Sequence, residues 1–496
     1  QYVSVAETLF PLESKDGSNT VVIKQLDNPR FAQGNLSESL EKIISWNEVL
    51  FKSLLVLDLR QVRILDGWGL SACIARCRSL INPDVATVLS NKHVVMSASA
   101  SLGDRAKVEI DRWAVPSPRK LAHFVARPDG VQVLVPPAFS SDCAPVFEQA
   151  FIQLKSIPAS RLRQRPVNPH LSFEVVLTTE QVAGEAGPWR ELFSQIAQEL
   201  QDEHINCQLG LTNLLVPTPN HQLSYGDHRD AFTLRPSNRS PEALERYRFL
   251  GRLMGCAFQT GTALSLRLCP LFWKQFSRTA VGVSDLLDLD ALFVKGLKAD
   301  QSELSTEPVV ALSDKVRQPC SRSADAQINA RLQESSCQID AVRFGFCEIV
   351  PSPVLSILPW QTLERRVCGQ PHIDVDLLKR NTKYAVGVSS DDPHIEFFWE
   401  ALTAFSNAER ALFVRFAWGQ DRIPENDAEF SRRGVRMLIK PCLEHPSHHD
   451  NLLPRADTCF FNVELPQYSS LHLTLTRLRT TISQDFGLNG DAMVDN

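Results

Sequence analysis

From about residue 146 onward, helical and extended hydrophobic patterns are mixed, and this mixture most limits the folds open to the chain. Residues 171–180 alternate apolar and polar side chains as a strand does, whereas residues 188–203 have the amphipathic period of a helix. Residues 397–417 predict two helices that break near Ser406, a good N-cap residue. No regular βαβ repeat connects these elements, so the sequence predicts an α+β fold weighted toward helix.

The residues before this region divide into two segments of different character. Residues 1–110 include the amphipathic pattern of 36–55 and predict a helical N-terminal region of unknown role. Residues 111–145 hold six prolines, which interrupt regular elements and predict a Pro-rich connector. The alternating run 131–135 within that connector predicts one strand.

Charge and cysteine usage exclude several functional classes. Lys and Arg number 52 against 57 Asp and Glu, so no basic excess favours nucleic acid or an anionic membrane. The close pair Cys73 and Cys77 has no second pair of ligands, which predicts no metal site. The 12 cysteines are scattered in apolar runs, as is typical of free thiols in the reducing cytoplasm or nucleus.

No apolar run is long enough to predict a membrane span. The first residues contain neither an initiator Met nor a basic leader, which predicts a fragment without a signal peptide.

Cys459 is the candidate for covalent chemistry. It lies in LLPRADTCFFNVELPQYSS, between Pro454 and Pro466, in a run predicted to be extended. A thiolate is a strong nucleophile and its thioesters remain reactive, although most free cysteines are small buried apolar residues. His448 and His449, a few residues upstream, leave open a cysteine hydrolase with a histidine base, or a solvated loop.

The strip around Cys459 resembles the active site of HECT-type ubiquitin ligases, in which Leu-Pro-x-x-x-Thr-Cys-Phe is followed by Leu-Pro-x-Tyr. The double Phe after Cys459 and the strip VPTPN (216–220) are most similar to the large HERC branch, whose members carry other modules upstream. Further stretches resemble the family in the family's order: VAGEAGPWRELF (182–193), YRFLGRLMGCAF (247–258), LRLCPLFWKQ (266–275), FGFCEIVP (344–351), LERRVCGQPHIDVDLLKRNTKY (363–384) and DPHIEFFWEALTAFSNAERALFVRFAWGQDRIP (392–424).

This resemblance implies a bilobal HECT domain. A larger, mostly helical N-terminal lobe would occupy residues 146–386, with the docking segment for a ubiquitin-conjugating enzyme at about 277–343. A smaller α/β C-terminal lobe would occupy residues 387–496. The conjugating enzyme would pass ubiquitin as a thioester to Cys459, and lysines of protein substrates would then receive it, with no cofactor at this step.

Three further residues are candidates for supporting roles, although an acid at the position of Asp457 is not the family's usual choice. Thr458 fits the family pattern and would hydrogen-bond near the thioester carbonyl or, equally, to local backbone. The carboxylate of Asp457 would raise the pKa of the thiol but help deprotonate a lysine, or else be a solvated acid. Phe486 matches a family phenylalanine that assists ubiquitin placement, although it lies ten residues from the end.

The lobes of this fold move about a short hinge, which the resemblance places within residues 384–393. Gly387, Ser389 and Ser390 are small enough to absorb large φ/ψ changes. An ordinary loop would have the same composition.

The docking segment departs from the family pattern. Residues 293–343 are shorter than usual, with little strand-like alternation, and much of the stretch is polar enough to predict disorder. The alternative to an active ligase is therefore a catalytically idle HECT-like scaffold that binds partners through its helical N-terminal region.

Overall fold

The computed structural model describes residues 36–52, 80–96, 105–111, 123–126, 132–135, 144–163, 171–178, 186–202, 213–299, 324–458 and 460–484. The chain divides into two compact units. One comprises Gln1–His93 with Ser352–Pro359, and the other comprises Val94–Pro351 with Trp360–Asn496.

Helices make up most of the regular structure. In the described ranges they are α1 (Leu36–Lys52), α2 (Pro83–Met96), α3 (Val146–Leu154), α4 (Ala186–Gln201), α5 (Pro219–Gln222), α6 (Pro241–Thr260), α7 (Pro270–Phe276), α8 (Val283–Leu286), α9 (Ala291–Ala299), α10 (Ala324–Leu332), α11 (Ser336–Ile349), α12 (Ser352–Ile357), α13 (Trp360–Cys368), α14 (Val375–Arg380), α15 (Pro393–Ala404), α16 (Asn407–Trp418), α17 (Asp427–Arg433) and α18 (Leu471–Gln484). None of these helices is long and apolar enough to span a bilayer.

The strands form small separate sheets. They are β1 (Lys107–Ile110), β2 (His123–Ala126), β3 (Gln132–Val135), β4 (Glu174–Leu177), β5 (Leu215–Pro217), β6 (Phe232–Leu234), β7 (Thr382–Tyr384), β8 (Met437–Pro441), β9 (Arg455–Asp457) and β10 (Asn462–Leu465). β1 pairs parallel with β4, while β2–β3 and β5–β6 are antiparallel pairs. The largest sheet has the order β7-β8-β10-β9 and mixes parallel with antiparallel neighbours. Helices with small sheets agree with the predicted α+β class.

In the first unit, a buried amide joins α1 to the segment before α2. Asn47 donates from Nδ2 to the carbonyls of Ile43 and Leu80, each at 2.9 Å. Its Oδ1 accepts from the backbone N–H of Asn82 at 2.8 Å. These bonds satisfy a polar group that burial would otherwise leave costly.

In the second unit, several predicted elements form where the sequence indicated them. Strand β4 lies within 171–180, α4 covers most of 188–203, and β3 lies in the Pro-rich segment, paired with β2. Ser406 begins α16 with a capping box, because its side chain accepts from the N–H of Glu409 and the Glu409 carboxylate accepts from the N–H of Ser406.

The long helix α6 crosses α11 at unusually short range. A Cβ added at Gly251 would lie 1.9 Å from the Val342 carbonyl oxygen, and one added at Gly345 would lie 1.8 Å from that of Arg248. Two glycines therefore let the backbones touch, and buried aromatic rings fill the space beside the crossing, among them Phe346.

A second core surrounds the four-stranded sheet. Its buried side chains lie between Ile373 and Ile482 and come from strands β8 and β10, from helices α14 to α18 and from the segments between them. Tyr384 of β7 is partly buried and packs against these side chains, so this strand borders the same core.

A carboxylate from α4 caps the start of α3. Glu199 accepts from the backbone N–H groups of Val146 at 3.0 Å and Phe147 at 3.1 Å. Burial raises the pKa of Glu199 to about 7, although these hydrogen bonds oppose that shift.

The raised pKa predicts a pH-dependent stability. The folded pKa exceeds the ordinary value of 4.5. The contribution of protonated Glu199 to the free energy of unfolding is therefore fully present below pH 4.5 and is lost as pH rises through about 7. Between pH 5 and 8, the wild-type free energy of unfolding should fall relative to Glu199→Gln by about 1–3 kcal/mol. Urea unfolding at several pH values measures this difference. Glu174→Gln, on the exposed side of β4, is the control and should keep the wild-type pH profile. Parallel profiles for wild type and Glu199→Gln would contradict the prediction.

Candidate active site

The candidate site is the turn between β9 and β10. Asp457 and Asn462 are paired across the hairpin, and the N–H of Phe460 donates to the carbonyl of Asp457 at 3.2 Å. β10 also pairs parallel with β8, so one side of the hairpin is an interior strand of the sheet. The turn is therefore attached to a strand that has hydrogen-bonded neighbours on both sides.

The predicted site residues have different outcomes. Cys459 and Phe486 lie outside the described residues. Asp457 is the exposed last residue of β9, and Thr458 follows it half-buried. Phe460 has 72% of its surface exposed, so an apolar ring faces solvent directly after Cys459 in the sequence.

The second phenylalanine of the TCFF strip fixes the shape of the turn. Phe461 has φ of +56°, a left-handed conformation that costs a non-glycine residue about 1 kcal/mol. Its ring is buried and stacks on Trp418, with centroids 4.8 Å apart and planes inclined by 8°. Ring stacking offsets the backbone strain and fixes Phe461 against Trp418.

Arg190 of α4 reaches this turn from the first part of the domain. Its Nε donates to the Trp418 carbonyl at 2.9 Å and its Nη2 to the Thr458 carbonyl at 2.5 Å. The guanidinium carbon lies 5.5 Å from the centroid of the Trp418 ring. Since Thr458 precedes Cys459, the second acceptor is the carbonyl of the peptide bond that joins them. The sequence interpretation missed Arg190, although the residue lies within the quoted strip 182–193.

Of the two histidines considered as a base, His449 is engaged by backbone groups. His449 is buried, and its Nδ1 accepts from the N–H of Gln467 at 2.9 Å while its Nε2 lies 2.9 Å from the Glu444 carbonyl. Both ring nitrogens are thus engaged by backbone, which leaves none to take a proton from a thiol. His448 is exposed, with its ring 6.2 Å from that of His445. In the described part of the chain, no group of three or more His, Cys, Asp or Glu side chains could hold a metal ion.

Other thiols of the domain are poorly suited to nucleophilic attack. Burial raises the pKa of Cys256 to about 12, of Cys269 and Cys347 to about 11, and of Cys368 further still. Burial also raises the pKa of Cys442, which is partly exposed. At neutral pH these five groups are thiols rather than thiolates.

The loop predicted as a hinge lies within one core. Gly387 has φ of +90°, and no described residue beyond its neighbours comes within 4 Å of an added Cβ. Ser389 and Ser390 follow it in a short connection between β7 and α15. The indole N–H of Trp399 on α15 donates to the Tyr384 hydroxyl on β7 at 3.0 Å, which joins the two flanks. Bending at these residues would not separate two bodies, so this geometry does not support the predicted hinge.

Comparison with known proteins identifies the type of domain. The family model described as HECT-domain (ubiquitin-transferase) matches residues 198–309 and 318–489. The chain is 35% identical over 335 residues to the E3 ubiquitin-protein ligase HERC2 of Mus musculus and of Homo sapiens, an alignment that covers 63% of this chain and 7% of each relative. It is 30% identical over 396 residues to the probable E3 ubiquitin-protein ligase HECTD4 of Homo sapiens, covering 68% of this chain and 10% of that protein. The chain thus spans a tenth or less of the length of these curated relatives.

Proposed function

The chain belongs to the HECT-domain (ubiquitin-transferase) family, and we propose that it is a ubiquitin-protein ligase that works through a thioester on Cys459. The observation that carries this proposal is the hairpin turn from Asp457 to Asn462, which lies inside the matched residues and carries the Thr-Cys-Phe strip. Its partners would be a ubiquitin-conjugating enzyme, ubiquitin and protein substrates. Free thiols favour the cytoplasm or nucleus as its location.

The proposed reaction has two acyl transfers. The Cys459 thiolate attacks the carbonyl carbon of the ubiquitin thioester on the conjugating enzyme, the carbon–sulfur bond to that enzyme breaks, and its cysteine leaves as the thiolate. A substrate lysine amine then attacks the new thioester, an isopeptide bond forms, and Cys459 leaves as the thiol after the lysine loses a proton. The first step exchanges one thioester for another, so the enzyme mainly supplies proximity and orientation.

The residues beside Cys459 would assist the second step. The exposed carboxylate of Asp457 ends β9 next to the turn, where it would attract the lysine ammonium and accept its proton. Thr458 would act through its backbone, because its carbonyl is already held by Arg190. Phe486 would position ubiquitin, as the family resemblance implies.

A bilobal arrangement is supported by the two cores. The first lobe would be built on the α6–α11 crossing and the second on the core that begins at Ile373. Between them, α13 packs on α6 and α7, and α14 packs on α15. The connection from Gly369 to His372 is therefore the better candidate for the pivot, and Gly369 has φ of +77°.

Matched glycine variants test the position of the pivot. Gly369→Ala and Gly387→Ala both force a Cβ into the left-handed region, at a similar backbone cost of about 1 kcal/mol. Only the Cβ at 369 would also meet Arg422, at 2.8 Å. We expect Gly369→Ala to slow ubiquitin transfer several-fold and Gly387→Ala to change it less than twofold in single-turnover assays. Equal slowing by both would restore the pivot at Gly387.

Docking of the conjugating enzyme is assigned to about 277–343. The described parts of this segment contain helices α8 to α10 and the start of α11, and Arg331 on α10 pairs with Asp290 at 2.5 Å and with Glu334 at 2.9 Å. This buried ion pair gives the segment a fixed frame on which a partner could dock. The family match, however, is interrupted between residues 309 and 318, inside the same segment. That break favours the second candidate function, a catalytically idle scaffold.

A loading assay separates the two candidates. The purified chain is mixed with ubiquitin, activating enzyme, ATP and a panel of conjugating enzymes, and is resolved on a non-reducing gel. A ubiquitin adduct that disappears on reduction supports the ligase. A folded chain that forms no adduct with any enzyme of the panel supports the scaffold.

A further inference from the structure

Arg190 joins two parts of the domain at the residue that precedes Cys459. Its contact with Trp418 and Thr458 crosses 228 and 268 residues of sequence, respectively. We propose that Arg190 is a positioning residue that holds the Cys459 turn against α4 while the thioester discharges onto lysine. The inference rests on the proposed ligase function and assigns to it a residue outside the hairpin.

The base of this contact is rigid. Trp189, the neighbour of Arg190, is buried with 1% of its surface exposed, and its indole N–H donates to the Thr262 hydroxyl at 2.8 Å. Its ring also packs edge-on against Phe173, with centroids 4.5 Å apart. The next residue, Glu191, pairs with Arg415 of α16 at 3.7 Å. Arg190 therefore extends from a fixed helix toward the turn rather than from a mobile loop.

One guanidinium holds two points of the site at once. Nε binds the carbonyl of Trp418, which is the residue on whose ring Phe461 stacks, and Nη2 binds the Thr458 carbonyl. The planar fork of arginine suits two acceptors beside an aromatic face, whereas a lysine ammonium is a single compact charge. The Thr458 carbonyl is thereby held beside the Trp418 ring on which Phe461 stacks.

A positioning role predicts different effects on the two steps. To accept ubiquitin, the turn must meet a thioester carried by another protein, and we expect that encounter not to need the contact with α4. During discharge, the thioester must keep one orientation while a lysine approaches. A fixed turn holds the thioester in that orientation, so the lysine reaches the reactive geometry more often. Removing the guanidinium should therefore slow discharge and leave loading unchanged or faster.

Arg433 provides the matched comparison. Its Nη1 donates to the Gly261 carbonyl at 2.5 Å, so it also links the two parts of the domain, but it contacts neither Thr458 nor Trp418 in the described structure. Arg433→Ala removes one such link while leaving the turn held. Arg190→Lys keeps the positive charge and most of the packing, which guards against an effect due to misfolding of Arg190→Ala.

The experiment measures loading and discharge separately by single-turnover assays on wild type and the three variants. We expect Arg190→Ala to lower the discharge rate at least tenfold with loading at or above the wild-type rate. Arg190→Lys should recover little of that rate, and Arg433→Ala should change discharge less than twofold. Unchanged discharge in Arg190→Ala, equal slowing of both steps, or equal slowing in Arg433→Ala would overturn the inference.

Hydrogen exchange tests the contact without ubiquitin. Peptides covering residues 455–465 should exchange faster in Arg190→Ala than in wild type, at equal melting temperature, and unchanged exchange would refute the contact. If wild type forms no thioester with any conjugating enzyme, the proposed function fails while this measurement still decides the role of Arg190.

Discussion

Replacing Cys459 by alanine is expected to abolish the reducible ubiquitin adduct and to lower substrate ubiquitination at least about 1000-fold. The proposed reaction needs a thiol that can carry an acyl group, and alanine offers no nucleophilic atom. The same gel that tests loading measures the effect, with a melting curve to establish that the variant folds.

Two further cysteine variants make this result specific. Cys459→Ser retains an oxygen nucleophile, so any adduct it forms would be an ester that survives a thiol reductant. Cys442→Ala removes a partly exposed thiol near the end of β8 and should load as wild type does. An adduct that persists in Cys459→Ala and vanishes in Cys442→Ala would move the acceptor site to Cys442.

Replacing Gly345 by alanine is expected to destabilise the domain by about 3–5 kcal/mol, at or above the usual cost of overpacking. The new methyl group would overlap the Arg248 carbonyl oxygen, which would lie only 1.8 Å from the added Cβ and belongs to the helix backbone. The two helices must then separate, and the aromatic core beside them loses contact. Urea unfolding or thermal melting measures the loss.

Gly296→Ala is the matched control for this prediction. Gly296 also lies inside a helix, α9, but apart from that helix no atom of the described residues lies within 4 Å of its added Cβ. Alanine has the higher helix propensity, so this variant should be unchanged or more stable by about 0.5–1 kcal/mol. Similar melting temperatures for the two alanine variants would mean that α6 and α11 do not cross as closely as described.

Local signals in the sequence predicted the elements that depend on neighbouring residues. Ser406 begins α16 because its side chain and that of Glu409 satisfy each other's backbone N–H groups, an arrangement that three-residue spacing indicates. The alternation of apolar and polar residues in 171–180 is also a pattern of neighbouring residues, and it predicted β4. The family resemblance around Cys459 extended this local information to the type of domain.

Long-range contacts were not predictable in this way. Arg190 meets Thr458 across 268 residues, and one sequence contains no signal that pairs them. The pivot was predicted at Gly387 from small residues alone, whereas the pairing of β7 with β8 shows that the chain has already entered the second core before that loop. Small residues indicate freedom of the backbone at their own positions. Which segment connects two separately packed bodies depends on how the elements on either side of it pack.

The cap of Glu199 on α3 has a consequence for where this domain can be cut. The family match begins at residue 198, yet Glu199 satisfies the N–H groups of Val146 and Phe147, and α4 carries Arg190 ahead of the matched residues. A protein shortened to begin at residue 198 would keep the residues that the family model matches but lose both partners of a buried carboxylate. We expect truncations guided by that match to give insoluble or weakly active protein, because the packed structure extends upstream of the matched residues.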